Sequence, residues 1–131
     1  MFCEASAEPC HVLLVEDHPD TAALMCRILE RRGYRVTVAT SVAEALQAAQ
    51  SQPFDLVISD LRLPDGSGHD LLRGLNRDDV TLAAVALSGY GTPDDLRGSR
   101  EAGFVEHLTK PVDLDRFWAT IERILASRAA A

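Results

Sequence analysis

The chain has 131 residues, of which 47% are hydrophobic and 25% charged, a composition typical of one globular domain. Thirteen basic residues against twenty acidic ones give a formal net charge of -7. This balance disfavours binding to nucleic acid or to an anionic membrane, which needs clustered cations, and it suits a site that gathers metal cations. No apolar run approaches the roughly 20 residues that span a bilayer.

The two ends of the chain carry little structural signal. Residues 1–10 are small and polar, lack the features of a signal peptide, and predict a disordered tail or linker. Residues 128–131 predict a second tail, which leaves one domain over residues 11–127. The cysteines lack metal-ligand spacing, so we expect reduced thiols in a cytoplasmic protein, with a Cys3–Cys10 disulfide as the alternative.

The first half of the domain alternates short apolar runs with helical patterns. A strand is predicted over residues 12–15, and a helix begins at His18-Pro19-Asp20 and ends at Gly33. A second strand over 34–38 leads to a helix over 42–50, which Ser41 and Glu44 open as a capping box. The third strand covers 56–59 and ends on the carboxylate of Asp60.

The second half repeats the same alternation. A helix over 67–76 is weakened by Gly68 and Gly74, and a strand over 82–87 follows. Pro93 opens a helix that ends at Gly103, a strand covers 104–108, and Asp113 caps the last helix. Five strand–helix units without a strand–strand hairpin predict a single α/β domain, with a parallel sheet covered by helices on both faces.

Polar side chains stand at the carboxyl ends of four predicted strands. They are Glu16 with Asp17, then Asp60, Ser88 and Lys110. Each alone is more often a cap or a surface residue, but parallel strands bring their carboxyl ends to one crevice, where such sheets bind ligands. Three gathered carboxylates need a cation, and Mg²⁺ takes oxygen ligands. A carboxylate such as Asp60 can attack phosphorus to form an acyl phosphate.

In combination, four motifs resemble the receiver domains of two-component response regulators. They are Val15-Glu16-Asp17, the segment from Asp60 through Leu63-Pro64 to Gly68, Leu87-Ser88-Gly89, and Lys110-Pro111. The resemblance implies a flavodoxin-like (βα)5 fold with strand order 2-1-3-4-5. It also implies that Asp60 accepts a phosphoryl group from the phosphohistidine of a histidine kinase or phosphotransfer protein.

The same resemblance assigns roles to the other residues. Asp17, Asp60 and the backbone carbonyl of Arg62 would bind Mg²⁺ directly, and Glu16 would act through water. Ser88 and Lys110 would hold the phosphoryl oxygens, and the Lys110–Pro111 peptide bond would be cis. The turn from Pro64 to Gly68 would shape the loop that presents the Arg62 carbonyl to the metal.

Three further positions concern switching and phosphoryl lifetime. The family couples Ser88 to an aromatic residue three positions before the lysine, and His107 stands there instead of the commoner Tyr or Phe. His107 is either a switch residue or an ordinary strand residue. Arg62 and Tyr90 flank the phosphate site and are expected to tune hydrolysis. The resemblance implies a switch on the face formed by the fourth helix, the fifth strand and the fifth helix.

Two other functions compete with a non-enzymatic phosphoacceptor. A Mg²⁺-dependent phosphatase of the haloacid-dehalogenase kind also uses an aspartate nucleophile, but it places an acid where Arg62 stands. A receiver-like adaptor would not need the intact polar set. We expect no output domain that binds DNA, no nucleic acid or membrane partner, and a monomer or weak homodimer. The chain is either a stand-alone regulator or the receiver of a hybrid histidine kinase.

Overall fold

The computed structural model describes residues 10–75, 82–89 and 93–130. The helices are α1 (Pro19–Arg31), α2 (Val42–Ser51), α3 (Gly68–Leu75), α4 (Pro93–Ala102) and α5 (Leu114–Ala130). The strands are β1 (His11–Val15), β2 (Arg35–Ala39), β3 (Leu56–Asp60), β4 (Arg62–Leu63), β5 (Gly66–Ser67), β6 (Ala83–Ser88) and β7 (Glu106–Thr109). Among the described residues, no helix is long and apolar enough to cross a membrane.

Five strands form one parallel sheet in the order β2-β1-β3-β6-β7. This confirms the predicted α/β fold, and the order is 2-1-3-4-5 when only these five strands are counted. The expectation of no hairpin is wrong, since β4 and β5 pair antiparallel through Arg62–Ser67 and Leu63–Gly66. The reason is that the predicted turn at Pro64-Asp65 also reverses the chain, so that two residues on each side of it pair as short strands.

Side chains that alternate along the strands form two cores, one on each face of the sheet. On β1, Val12 and Leu14 belong to one core, while Leu13 and Val15 belong to the other. The first core includes buried residues of α1 and α5, such as Leu29 and Phe117. The second includes residues of α2 and α3, and α4 contacts α3 and β7. The burial of β1 on both faces explains why its sequence is uniformly apolar.

The predicted helix starts are supported by capping contacts. His18 Nδ1 accepts a hydrogen bond from Thr21 N (3.3 Å), and Asp113 Oδ1 accepts one from Asp115 N (2.9 Å). The capping box of α2 is only half formed. Ser41 Oγ accepts from Glu44 N at 3.1 Å, but Oε1 of Glu44 accepts from the backbone and hydroxyl of the preceding Thr40.

The cysteines differ from the expectation of reduced thiols. Cys26, which lies in α1, is a free thiol, and burial raises its pKa. Cys10 is disulfide-bonded, so the expectation is wrong for this residue. Cys10 is also buried in the first core, and its carbonyl accepts a hydrogen bond from Arg35 N at 2.8 Å.

Trp118 is the single tryptophan of the chain and joins α5 to the end of α1. The guanidinium of Arg32 lies over its ring, 4.1 Å from the centroid, and the ring of Tyr34 stacks on it at 6.3 Å. Arg32 also donates to Glu122 Oε2 at 3.3 Å. A cation held over a tryptophan at an exposed site contributes about 0.5–1 kcal/mol, so this cluster reinforces the packing of α1 against α5.

A buried histidine lies at the opposite edge of the sheet from the strand carboxyl ends. His11 Nε2 is 2.8 Å from Thr37 Oγ1, and its backbone exchanges two hydrogen bonds with Asp55. Burial and the charge of Arg35 lower the pKa of His11, against the raising effects of the Pro53 carbonyl and Asp55. The folded protein therefore favours neutral His11.

Stability is expected to fall on mild acidification because of His11. Its folded pKa lies below the ordinary value of 6.5, so below that pH the unfolded chain binds a proton that the folded chain excludes. The loss begins near pH 6.5 and is no steeper than about 1.4 kcal/mol per pH unit. Urea unfolding of wild type and His11→Gln between pH 7.5 and 5.5 measures it. The expectation fails if both proteins lose stability equally over this pH range.

Candidate functional site

The strand register brings the predicted site residues to one edge of the sheet. Val15 pairs with Ser59, and Asp60 pairs with Leu87, so the carboxyl ends of β1, β3 and β6 lie side by side. Ser88 pairs with Thr109, which places Lys110 beside the end of β6. The edge therefore carries Glu16, Asp17, Asp60, Ser88 and Lys110, as the sequence predicts.

Lys110 bridges two of the carboxylates. Its Nζ lies 3.0 Å from Glu16 Oε1 and 2.9 Å from Asp60 Oδ2. The Glu16 side chain is 2% exposed, whereas that of Asp60 is 14% exposed and reaches the surface. The buried Glu16 anchors the ammonium, which donates its second hydrogen bond to Asp60 at the surface.

The two carboxylates beside Lys110 raise its pKa. Burial alone would lower it, but hydrogen bonds and charge from Asp60 and Glu16 outweigh burial and raise the pKa above the ordinary 10.5. The ammonium therefore stays charged at neutral pH. The stabilisation that it contributes is fully present below pH 10.5 and is lost only as the pH rises through the folded pKa.

Glu16, Asp17 and Asp60 form an acidic cluster, hereafter the acidic edge. One carboxylate oxygen from each lies within 4.8 Å of the others. Asp17 is exposed, while His18 N donates to Glu16 Oε2 at 3.2 Å and orients that carboxylate. Three carboxylates face one ammonium, so the donor set suits a hard divalent cation with oxygen ligands.

The remaining predicted residues are placed as follows. Ser88 is buried, and its carbonyl accepts from Lys110 N at 2.7 Å, which ties the ends of β6 and β7 together. His107 is half-buried in β7. The Lys110–Pro111 peptide bond is cis, as the resemblance implies. Tyr90 lies outside the described residues.

Arg62 reaches Asp60 through its backbone. Its N–H donates to Asp60 Oδ1 at 3.1 Å, so both carboxylate oxygens of Asp60 have a donor, one from Arg62 and one from Lys110. The Arg62 side chain is exposed beside the site. The main chain immediately after Asp60 therefore fixes the orientation of its carboxylate.

Gly68 lies against the backbone of Asp60 at the start of α3. A Cβ at this position would be 2.7 Å from the Asp60 carbonyl oxygen and 3.2 Å from Leu61 Cα. Only glycine permits this approach, so the weakness assigned to Gly68 as a helix residue is instead a packing requirement. Gly74 differs from Gly68, since a Cβ there would be 2.9 Å from Leu46 Cδ2, the end of a side chain that can turn away.

Two further contacts in this region were not found from the sequence. Ser67 and Asp70 cap α3 reciprocally, at 3.1 Å in each direction, and their three-residue spacing is a readable capping-box signal. Asp65 accepts from Val42 N and Ala43 N of α2. No local pattern could show this second contact, because its partners lie 22 and 23 residues away.

The geometry agrees with comparisons to known proteins. Residues 12–122 match the family model described as the response regulator receiver domain. The chain belongs to this family. The receiver domain is 34% identical to the transcriptional regulatory protein GlrR of Escherichia coli over 96% of this chain and 28% of that protein. It is 38% identical to KdpE of Mycobacterium tuberculosis, covering 92% of this chain and 53% of that one.

Solved structures show the same fold. A CheY-like receiver domain from Methanospirillum hungatei superposes with a TM-score of 0.89 at 25% identity, over 94% of this chain and 98% of that one. The non-phosphorylated receiver domain of HemR from Leptospira biflexa gives 0.80 at 35% identity, over 88% and 94%. This receiver domain spans 28% of the length of GlrR and 53% of the length of KdpE.

Proposed function

We propose that this receiver domain is the phosphoacceptor of a two-component phosphorelay and that Asp60 is the residue phosphorylated. The observation that carries the proposal is the bridge from Lys110 to both Glu16 and Asp60. It places a carboxylate that reaches the surface beside a fixed cation and two further acids. Family membership supports the class of reaction.

The chemistry of Asp60 is a displacement at phosphorus. A carboxylate oxygen of Asp60 attacks the phosphoryl group of a phosphohistidine, and an acyl phosphate O–P bond forms as the P–N bond breaks. The electron pair of the broken bond remains on the histidine nitrogen of the donor. The donor is a histidine kinase or phosphotransfer protein. Asp60 is consumed once per transfer, so we propose a phosphoacceptor and not an enzyme.

The chain's own groups offset the charge of the transferred group. Lys110 Nζ already lies 2.9 Å from Asp60 Oδ2, so it can follow the negative charge onto the phosphoryl oxygens without a large movement. The Ser88 hydroxyl would donate a hydrogen bond to a second phosphoryl oxygen. Asp17, Asp60, the Arg62 carbonyl and, through water, Glu16 would hold Mg²⁺, which would supply further charge compensation.

The output of the domain is proposed on the same basis. Phosphorylation would draw Ser88 toward the acyl phosphate and allow His107 to turn inward, changing the face formed by α4, β7 and α5. Arg62 and Tyr90 would set the lifetime of the acyl phosphate. The hydrogen bond from Lys110 N to the Ser88 carbonyl supports this coupling, since it joins the end of β6 to the end of β7.

Phosphorylation of Asp60 is tested with a small phosphoryl donor. Incubation of the protein with acetyl phosphate and Mg²⁺ should add the mass of one phosphoryl group to wild type and none to Asp60→Asn. The reason is that the amide lacks the nucleophilic carboxylate. Intact-protein mass spectrometry measures the change. Asp115→Asn, an exposed acid of α5, is the matched control and should be modified like wild type. Equal modification of wild type and Asp60→Asn would refute the assignment.

A further inference from the structure

The segment from the end of β3 to the first residue of α3, residues 61–68, is closed at its base and is hereafter the acceptor loop. Gly68 N donates to Leu61 O at 3.0 Å, and Leu63 pairs with Gly66 across the β4–β5 hairpin. These contacts fix the shape of the loop. Its base is held against the domain by Leu61 N, which donates to Leu87 O at 3.1 Å, and by the side chains of Leu61 and Leu63, which are buried in the second core.

Asp65 supplies a further contact, which holds the turn of the hairpin against α2. It lies at the turn of the β4–β5 hairpin, and both of its oxygens accept backbone hydrogen bonds from the first turn of α2. Val42 N donates to Oδ1 at 2.8 Å and Ala43 N donates to Oδ2 at 3.0 Å. These two amides lack partners within their own helix. The bonds from Val42 and Ala43 also lower the pKa of Asp65, so it remains a carboxylate at neutral pH.

The contact connects the rigid framework to the main chain beside Asp60. Helix α2 is anchored in the second core through Ala45, which is fully buried. Asp65 is three residues after Arg62, whose N–H orients Asp60 Oδ1 at 3.1 Å. A shift of the hairpin would therefore move the Arg62 backbone relative to the Asp60 carboxylate.

We propose that Asp65 is a positioning residue for the acidic edge. By binding the first turn of α2, it holds the acceptor loop where the Arg62 backbone can serve both Asp60 and a bound cation. This inference rests on the proposed function of Asp60 and assigns a role to a residue that touches neither the cation nor the phosphoryl group.

The test compares Asp65 with a second capping residue of the same helix. Ser41 Oγ accepts from Glu44 N at 3.1 Å, so Ser41→Ala weakens the start of α2 without touching the acceptor loop. The Mg²⁺ dissociation constant is measured for each protein by amide NMR titration. The rate of phosphorylation by acetyl phosphate is measured separately, and urea unfolding identifies the folded variants.

Asp65→Ala should weaken Mg²⁺ binding about three- to tenfold, at or below the range seen when direct supports of metal ligands are removed. Asp65→Asn keeps one acceptor oxygen and should show an intermediate loss, while Ser41→Ala should remain within about twofold of wild type. If Asp65→Ala does not fold, Asp65→Asn against Ser41→Ala decides the question.

Two results overturn the proposal. One is an Asp65 variant that binds Mg²⁺ like wild type, and the other is a Ser41→Ala protein that loses as much affinity as Asp65→Ala. A wild-type protein that binds Mg²⁺ but gains no phosphoryl mass refutes the proposed function alone, since the Mg²⁺ titration still measures what Asp65 positions.

Discussion

Replacing Lys110 with methionine is expected to lower the free energy of unfolding by about 2–3 kcal/mol when Mg²⁺ is absent. The change removes the ammonium that lies 3.0 Å from Glu16 Oε1 and 2.9 Å from Asp60 Oδ2. The buried carboxylate of Glu16 and the carboxylate of Asp60 then lose their shared cation. Two carboxylates without a cation repel each other and remain poorly hydrated. The expected loss of stability is smaller than that for a fully buried ion pair, because the Lys110 side chain is 29% exposed. Urea unfolding at pH 7 measures it.

Mg²⁺ should partly rescue the stability of Lys110→Met, because a cation at the acidic edge replaces the missing positive charge. The midpoint of unfolding should rise more with Mg²⁺ in the variant than in wild type, by mass action on the folded state. Phosphorylation by acetyl phosphate should nevertheless fall about 10²- to 10³-fold, the typical cost of removing one group that stabilises the transition state.

The control for Lys110→Met is Arg123→Met. Arg123 pairs with Glu106 at 2.6 Å, but its side chain is 61% exposed, so this pair is expected to contribute no more than about 1 kcal/mol. An equal loss of stability in both variants would show that the location of Lys110 between two carboxylates has no special energetic role. Normal phosphorylation of Lys110→Met would remove Lys110 from the mechanism.

Replacing Gly68 with alanine is expected to destabilise the protein by about 1–3 kcal/mol, the usual cost of forcing an extra carbon into a packed site. Helix propensity alone predicts the opposite sign, since alanine is favoured over glycine by up to about 1 kcal/mol within a helix. The steric clash outweighs the gain in helix propensity, because the added Cβ would lie 2.7 Å from the carbonyl oxygen of Asp60. That atom belongs to the backbone and cannot turn away as a side chain could.

Gly89→Ala provides the comparison for Gly68→Ala. A Cβ at Gly89 would have no atom within 4 Å, and its backbone is not in the left-handed region. Chemical denaturation should therefore place Gly89→Ala close to wild type in stability and Gly68→Ala clearly below it. A Gly68→Ala protein as stable as wild type would show that α3 can move away from Asp60 at little cost.

The sequence predicted the sheet well because its strands are buried on both faces and are bounded by clear stop signals. Val12 to Val15 illustrates this, since alternate residues enter opposite cores and all four are apolar. The order of the strands did not follow from these patterns and came from the resemblance. The β4–β5 hairpin was missed because strands of two residues have no periodicity that a pattern can show.

Within the site, the residues were predicted but their contacts were not. Glu16, Asp60 and Lys110 each stand at the carboxyl end of a strand, so a parallel sheet brings them together. The sequence could not show that Lys110 bonds both acids, because Glu16 lies 94 residues away and its burial depends on the whole fold. Asp65 illustrates the same difficulty. It acts across 22 and 23 residues, and only the folded arrangement of the acceptor loop and α2 reveals its partners.

The position of Trp118 has a consequence for experiments in solution. Its ring contacts Tyr34, Phe117 and Arg32, none of which belongs to the acidic edge. Because the chain has no other tryptophan, its tryptophan fluorescence observes the junction of α1 and α5. A change in tryptophan emission on phosphorylation would therefore report a rearrangement that reaches this junction from Asp60.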